Sequence, residues 1–552
     1  MKHPVKRFPV RGPLLSLVIV LAGSFVQPLV ADTGILQVRV TGPDQELTPF
    51  RAWVTQNGKQ HFHPTEPPTT TPYPKDKSFS CDGWFKMPLA AGPATLHIEK
   101  GKEWLPKDVT VEIFPDNITK RSFSLQQWID LEAIHYYSTD LHIHFGHDNL
   151  RILEQLGTAD DLDVIPSFSY WLRGTEPEWL SDWPDWNDQQ RSDPRQRVTV
   201  SRNNIEIERI ASRAKPGGAI GASFLFNLGS PLSVEHFNPY FPSDTDLCLL
   251  ARAKSPQVVI DTDKPSWAET VVGAILGAYD TVQICHNHYH RRQTIPGGWG
   301  MIASLSADEA PLNQENELFH RTNKHYYSFL NCGIRLAVSG GSAIGVMPVP
   351  AGYNRVYAHV PPPFSLPKFW NAIRQGNSFA TSGPVLSFDV GSQQPGSHIH
   401  YNSTQQDGLP VTMGVQSIEQ LESLEVIHNG RIIRQISLSK LSPNPSLHYE
   451  HTFRHYPSRS GWYACRSLFE SPPGHLRQAH SSPIYISVDK KPTAFKADAA
   501  YMAAWIDRLA AIANEPGRFT NNENHRETLN TYNRARDAYV AISELASKIW
   551  GD

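Results

Sequence analysis

Between residues 32 and 127, apolar side chains recur at every second position. Leu36, Val38 and Val40 alternate with Gln37 and Arg39, and Val109, Val111 and Ile113 alternate with Thr110 and Glu112. A period of two puts one set of side chains on each face of a strand, and Gly, Pro and Asp punctuate the runs, so a small β domain is predicted. The Pro- and Thr-rich stretch 64–74 reads as an exposed loop. From 128 to 388 the pattern changes. Short apolar runs at 140–145, 162–167, 222–228, 258–261, 281–285 and 336–339 predict strands, and intervening segments such as 150–156 and 267–276 have helical spacing. Strands alternating with helices predict an α/β domain with much parallel pairing, and a barrel or partial barrel fits the length. Residues 389–490 return to β patterning, clearest at 424–428, 461–467 and 484–487. Within the remainder, 491–552, Tyr501, Trp505, Leu509 and Ile512 recur at spacings of three and four, as do Tyr539, Ile542, Leu545 and Ile549. Two amphipathic helices packed as a C-terminal tail are predicted. The expected fold is therefore α/β: a distorted αβ barrel flanked by β-sandwich-like domains, with a helical tail.

The 552 residues exceed one compact domain. Lys plus Arg number 51 against 54 Asp plus Glu, a formal charge of −3. That balance gives no field for steering towards nucleic acid or anionic lipid, so no nucleic-acid partner is expected. Lys2, Lys6, Arg7 and Arg11 precede a nearly continuous apolar run from Leu14 to Leu21, and Ala31 stands before Asp32. Residues 1–31 read as a cleavable secretory signal, which predicts an exported protein, periplasmic or secreted. Ser16, Gln27 and Pro28 argue against the alternative of an uncleaved anchor. No later stretch approaches the ~20 apolar residues of a spanning helix, so no integral membrane span is expected after signal removal. The five cysteines, Cys81, Cys248, Cys285, Cys332 and Cys465, include no C-x-x-C, which excludes zinc-ribbon and thioredoxin-type sites.

The strongest chemical signal is Asp140-Leu-His-Ile-His144. On a strand, Asp140, His142 and His144 project to one side, where two imidazoles can ligate a divalent metal and a carboxylate can orient a ring. The plain alternative is a polar strand face with satisfied histidines. Cys285-His-Asn-His-Tyr-His290 follows a second apolar run and places His286, His288 and His290 on one face if that strand continues. A third run ends in Asp261-Thr-Asp-Lys-Pro265, where either carboxylate is a metal ligand, a general base or a helix cap, and Lys264 is a partner for oxyanion charge. Asp160, Asp161 and Asp163 surround a turn and are expected to be solvated or capping. Glu206 and Glu208 alternate along 203–210, where either is a candidate ligand and a solvent face is the default reading. No G-x-S-x-G or P-loop is present, which removes support for serine-hydrolase and nucleotide chemistry.

Taken together, these segments resemble the CehA/McbA-type metallohydrolases, a branch of the PHP (polymerase and histidinol phosphatase) superfamily. The resemblance is carried by Tyr136-Tyr-Ser-Thr-Asp-Leu-His-Ile-His144, Ala159-Asp-Asp-Leu-Asp-Val-Ile-Pro166, Asp263-Lys-Pro-Ser-Trp267 and Asn287-His288. It continues through Leu330-Asn-Cys-Gly-Ile-Arg335, Ser339-Gly-Gly-Ser-Ala-Ile-Gly-Val346, Gly352-Tyr-Asn-Arg-Val-Tyr357 and Ala380-Thr-Ser-Gly-Pro384. It implies a PHP-like barrel with divalent metal (Zn, Mn or Fe) at the strand ends, and hydrolysis; named relatives act on an aryl N-methylcarbamate ester. His142 and His144 match the first metal motif, His288 a recurring Asn-His, and Asp263 with Lys264 an acidic residue followed by Lys-Pro. Two departures stand out: Ser167-Phe-Ser-Tyr170 replaces the usual Asp-His, and the run from Ser339 to Gly345 replaces a late Asp-x-His. One or two metals then need only His142, His144, His288 and one of His286, Asp261 or Asp263.

The expected function is metal-activated water attack on an ester, amide or carbamate bond of a small-molecule substrate. Asp263 or Asp261 takes the proton and Lys264 stabilises the oxyanion. A phosphoesterase is the alternative among enzymes. A metal-stabilised carbohydrate- or surface-binding protein is the alternative outside them, with the aromatic loop from Tyr170 to Trp186 as its stacking surface. The sequence identifies no partner protein.

Overall fold

The structure, a computed structural model, describes residues 32–173, 178–180, 189–190, 198–211, 218–232, 240–290, 293–294, 315–404, 407–470 and 475–552. The signal expected over 1–31 lies outside the described residues, as does much of the aromatic loop, Trp183 included.

Both helices and strands build the molecule, and the sheets are mixed. In the N-terminal domain, Thr33–Thr41 lies between Trp84–Ala90 (antiparallel) and Ile118–Ser124 (parallel). A second sheet centred on Phe50–Gln56 and Gly92–Glu99 faces it. The alternating residues Leu36, Val38 and Val40 fill the space between with Phe50, Phe79 and Phe85.

The central strands differ in texture. All eight residues of Ala219–Phe226 and all five of Thr281–Cys285 are buried, because both faces of these strands are covered. Pairing runs in parallel from Tyr136–Thr139 to Val164–Leu172 and Thr199–Ile210, antiparallel to Ala219–Phe226 and Val259–Thr262, then parallel to Thr281–Cys285 and Ala337–Gly340. It then returns to its starting segment. The Leu141 N–H donates to the Gly340 carbonyl at 3.1 Å, and Ile143 bridges Ile344 in parallel.

One expected strand is displaced, and another ends where expected without continuing. The strand expected over 140–145 lies at Tyr136–Thr139, so the His-x-His run follows its C-terminal end. There the Asp140 carboxylate accepts the His142 N–H at 3.0 Å, a local bond that competes with the ladder. The second stops at Cys285, and residues 286–288 form a turn closed by Tyr289 N–H to His286 C=O at 3.0 Å. His286, His288 and His290 therefore do not share a strand face. The expected solvation of the 160–163 segment is also corrected. Asp160 is fully buried 3.2 Å from the Arg51 guanidinium, and Asp163 accepts the Ser138 N–H at 2.7 Å.

The other edge of Tyr136–Thr139 pairs with Arg355–His359, which continues through Ser378–Thr381 into Leu476–Ser481 of the C-terminal β region. Strand Val385–Val390 straddles the expected boundary at 388 and belongs to a separate three-stranded sheet with Leu409–Ser417 and Leu447–His455. Helices Lys496–Ala513 and Asn522–Trp550 pack on the central domain: Trp505, Leu509 and Tyr539 share a core with Val271 and Ala268.

Glu269 fastens this tail. Its carboxylate is 1% exposed and accepts the Tyr532 hydroxyl at 2.6 Å and the Asp244 N–H at 2.8 Å. Burial, with Asp244 adding to it, pushes the carboxyl up to about 8 against the Tyr532 hydrogen bond. A carboxyl raised in the folded state contributes stability that is complete below its unfolded value and is lost as pH rises through 8. Glu269→Gln removes that term, and the Tyr532 hydroxyl can accept from the new amide. Urea unfolding between pH 5 and 9 is expected to show the wild type losing up to about 4 kcal/mol more than the variant. Equal slopes would contradict this assignment.

Candidate metal centre

Three strands set the floor of the site. Glu206, on Thr199–Ile210, lies opposite Trp171 on one neighbouring strand and Phe224 on the other. Each of those rings meets one histidine: Phe224 lies 4.5 Å from the His142 ring and Trp171 lies 4.7 Å from the His144 ring. The His-x-His run crosses above them, with Leu141 and Ile143 fully buried in separate cores. Gly146, at φ +77°, turns the chain in a conformation unfavourable to other residues, and the Asn149 side chain then caps the helix Leu150–Ala159.

The His142 and His144 Nε2 atoms are 2.8 Å apart, and His144 Nε2 is 3.4 Å from Glu206 Oε2. One ligand atom from each of the three residues falls within 4.8 Å of the others. His142 Nδ1 faces Asp263 Oδ1 at 3.3 Å, which leaves Nε2 as the nitrogen turned to the centre. The other Asp263 oxygen accepts from Lys264 Nζ and from Trp267 Nε1, the latter at 3.1 Å. A carboxylate behind a ligating imidazole fixes its tautomer and raises its basicity.

The electrostatics suit a cation. Burial, then the neighbouring His142 and His147, hold the His144 imidazole well below its ordinary value, so it is neutral at pH 7. Burial, reinforced by Glu208 and Asp263, pushes Glu206 well above the carboxylate range. A bound cation reverses that penalty. Burial alone would raise Asp263 as well, but Lys264 and His142 overcome it and hold this carboxyl well below the usual range. Glu206 Oε2 is buried with no hydrogen-bond partner among the described residues. Nitrogens about 2.0–2.1 Å from a tetrahedral zinc stand roughly 3.4 Å apart, so the pair at 2.8 Å need open by only about half an ångström. The residues fit a divalent ion.

Of the residues singled out in the sequence, His142, His144, Asp263 and Lys264 are brought together here. Asp261 is not. Its oxygens accept from Gln283 Nε2 at 2.9 Å, Thr281 Oγ1 at 2.5 Å and Ser339 Oγ, and burial pushes it up to about 7. It is a buried structural carboxyl. His286 lies in electrostatic range of His142, Asp263 and Lys264, with a buried Nε2 that has no partner. His288 is fully buried, its ring 5.3 Å from that of His286, and neither belongs to the three-residue group. The His359 ring lies 5.2 Å from that of Tyr136, tilted by 52°, and does not belong to the three-residue group. Glu206 is the residue that sequence reasoning weighed as a ligand but assigned by default to a solvent face. It is 2% exposed rather than on a solvent face, because its strand is paired on both sides. The available signal was a carboxylate flanked by Ile205 and Ile207.

No protein-family model matches the chain, and no curated protein matches it.

Asp263→Asn is expected to weaken zinc binding about 10- to 100-fold, as loss of an orienting carboxylate does, and Glu206→Gln at least as much. Asp261→Asn should leave affinity within a small factor. Competition with a chromophoric chelator reads all three. Loss in Asp261→Asn with retention in Glu206→Gln would move the site.

Proposed function

We propose that the protein is an exported metal-dependent hydrolase acting on an ester, amide or carbamate bond, in the manner expected from its resemblance to CehA/McbA-type enzymes. The observation that carries this reading is the convergence of two buried Nε2 atoms and an otherwise unpartnered buried carboxylate oxygen, with Asp263 behind one ring. The closed run of strand pairing supports the expected distorted PHP-like barrel, and the three-residue group supports one divalent ion rather than a trinuclear cluster. No described helix is long and apolar enough to cross a membrane.

A bound divalent ion would lower the pKa of its water towards ~7 and polarise the scissile carbonyl. The chain's own residues divide the remaining work. Asp263 is a poor general base, because its pKa is depressed and both oxygens face other groups. Its role in this reading is to orient His142. Lys264 has three donor hydrogens, and one meets Asp263, so the others remain for developing oxyanion charge. Phe168, Phe224 and Trp171 keep water from the rings and strengthen these interactions.

The test is turnover of an aryl ester, an aryl carbamate and a phosphate monoester by chelator-treated and metal-reconstituted protein. Hydrolysis of the first two should vanish on chelation and return with Zn, Mn or Fe. Lys264→Met should lower kcat by about 10²-fold with metal retained. Turnover of the phosphate monoester alone would favour the phosphoesterase. No turnover in any class, with glycan affinity that survives metal removal, would leave a binding module.

A further inference from the structure

A second polar cavity lies where the N-terminal domain, the central domain and the C-terminal β region meet. Five cations line it, Arg51, Lys100, Lys102, Arg355 and Arg477, against two carboxylates, Glu99 and Glu419. The difference is three positive charges, five less two. Both carboxylates are engaged: Glu99 takes Arg51 Nη2 at 2.8 Å, and Glu419 takes Arg477 Nη1 at 2.8 Å. Three of the cations meet neutral acceptors. Lys100 Nζ donates to the Thr158 carbonyl at 2.5 Å and Lys102 Nζ to the Ser382 carbonyl at 2.8 Å, while Arg355 reaches the Asp160 and Asp161 carbonyls. Backbone carbonyls satisfy hydrogen bonds but cancel no charge. Arg51 is 5% exposed, and its Nε and Nη1, both closed off from solvent, have no hydrogen-bond partner among the described residues.

Lys102 and Arg477 both approach the Tyr353 ring, at 4.2 and 5.4 Å, so two like charges are crowded over one face-forming residue. Burial, then Arg477 and Arg355, push the Lys102 ammonium well below its ordinary value. Asp160, 3.2 Å from Arg51, offsets part of the excess from behind. Crowded like charges such as Lys102 and Arg477 are costly together unless a group of opposite charge lies between them. The wall is also fixed in place: the Gly352 N–H donates to Asp140 Oδ2 at 2.8 Å, and a Cβ at Gly352 would meet Arg355 Nη2 at 2.4 Å.

We propose that this inter-domain cavity binds a small, multiply charged oxyanion of the phosphate or sulfate type, held by Lys102 and Arg477. The site is separate from the metal centre and does not depend on hydrolysis. Because its cations come from all three regions, the anion clamps the N-terminal domain to the rest of the chain.

The test is calorimetric titration of the full-length, chelator-treated protein with inorganic phosphate, inorganic sulfate and glycerol phosphate, at constant ionic strength in chloride. Chelation removes the metal centre as a competing anion site. Saturable one-to-one binding is expected, weakened about tenfold or more in Lys102→Gln and in Arg477→Gln, as loss of a charge-assisted contact requires. The exposed Lys440→Gln should leave it unchanged. Equal affinity for glycerol phosphate would mean that the site accepts the group on a larger ligand, and preference for the free ions would identify inorganic anion. Hydrogen exchange on the wild type avoids any question of misfolded variants: phosphate, and not chloride, should slow exchange across 99–104 and 351–355. No saturable binding, binding equally strong in the two variants, or unchanged exchange in both segments would overturn the proposal.

Discussion

One buried carboxylate organises the centre of this molecule. Asp140 is fully buried and accepts three backbone N–H groups, from His142 at 3.0 Å, Ser342 at 2.9 Å and Gly352 at 2.8 Å. Those groups belong to three different segments: the His-x-His run, the loop after the last parallel strand, and the turn walling the inter-domain cavity. Burial raises the Asp140 pKa, and these hydrogen bonds oppose it. Removing such an acceptor leaves buried donors unmet, at about 1–3 kcal/mol each. The same bond that stops the first strand therefore delivers His142 to the centre and draws Gly341 under it, where a Cβ would stand 2.5 Å from the His142 Cβ.

With the backbone held in that way, the rings are placed by packing. Phe224 and Trp171 flank Glu206 on adjacent strands and press on His142 and His144. The frame is rigid and apolar, so the charged groups it encloses are costly unless they act on one another or on an ion. Asp263 and Lys264 solve the problem as a pair. Glu206 has no such partner, and it is the group a cation would most relieve.

The parts legible in the sequence were those fixed by local pattern. Alternation in Leu36, Val38 and Val40 gave the N-terminal sheet, the run at 281–285 matched its strand, and the three-four spacing of Trp505, Leu509 and Ile512 matched a packed helix. The pairing of His142 with His144 was legible because it needs only residues two apart. Glu206 was not, since its burial depends on which strands lie beside it. A carboxylate in a paired central strand and one on a solvent edge look alike in sequence. The shared face of His286, His288 and His290 was conditional on the strand continuing past Cys285, and a turn at 286–288 redirects them. Asp160 and Asp163 were taken as solvated because their partners, Arg51 and Ser138, are 109 and 25 residues away along the chain.

The most direct measurement is anomalous diffraction from crystals of the zinc-loaded protein. A single strong peak about 2.0–2.2 Å from His142 Nε2, His144 Nε2 and a Glu206 oxygen is the expected result. A peak at His286 and His288 or beside Asp261, or no peak at stoichiometric zinc, would contradict the assignment of the metal centre.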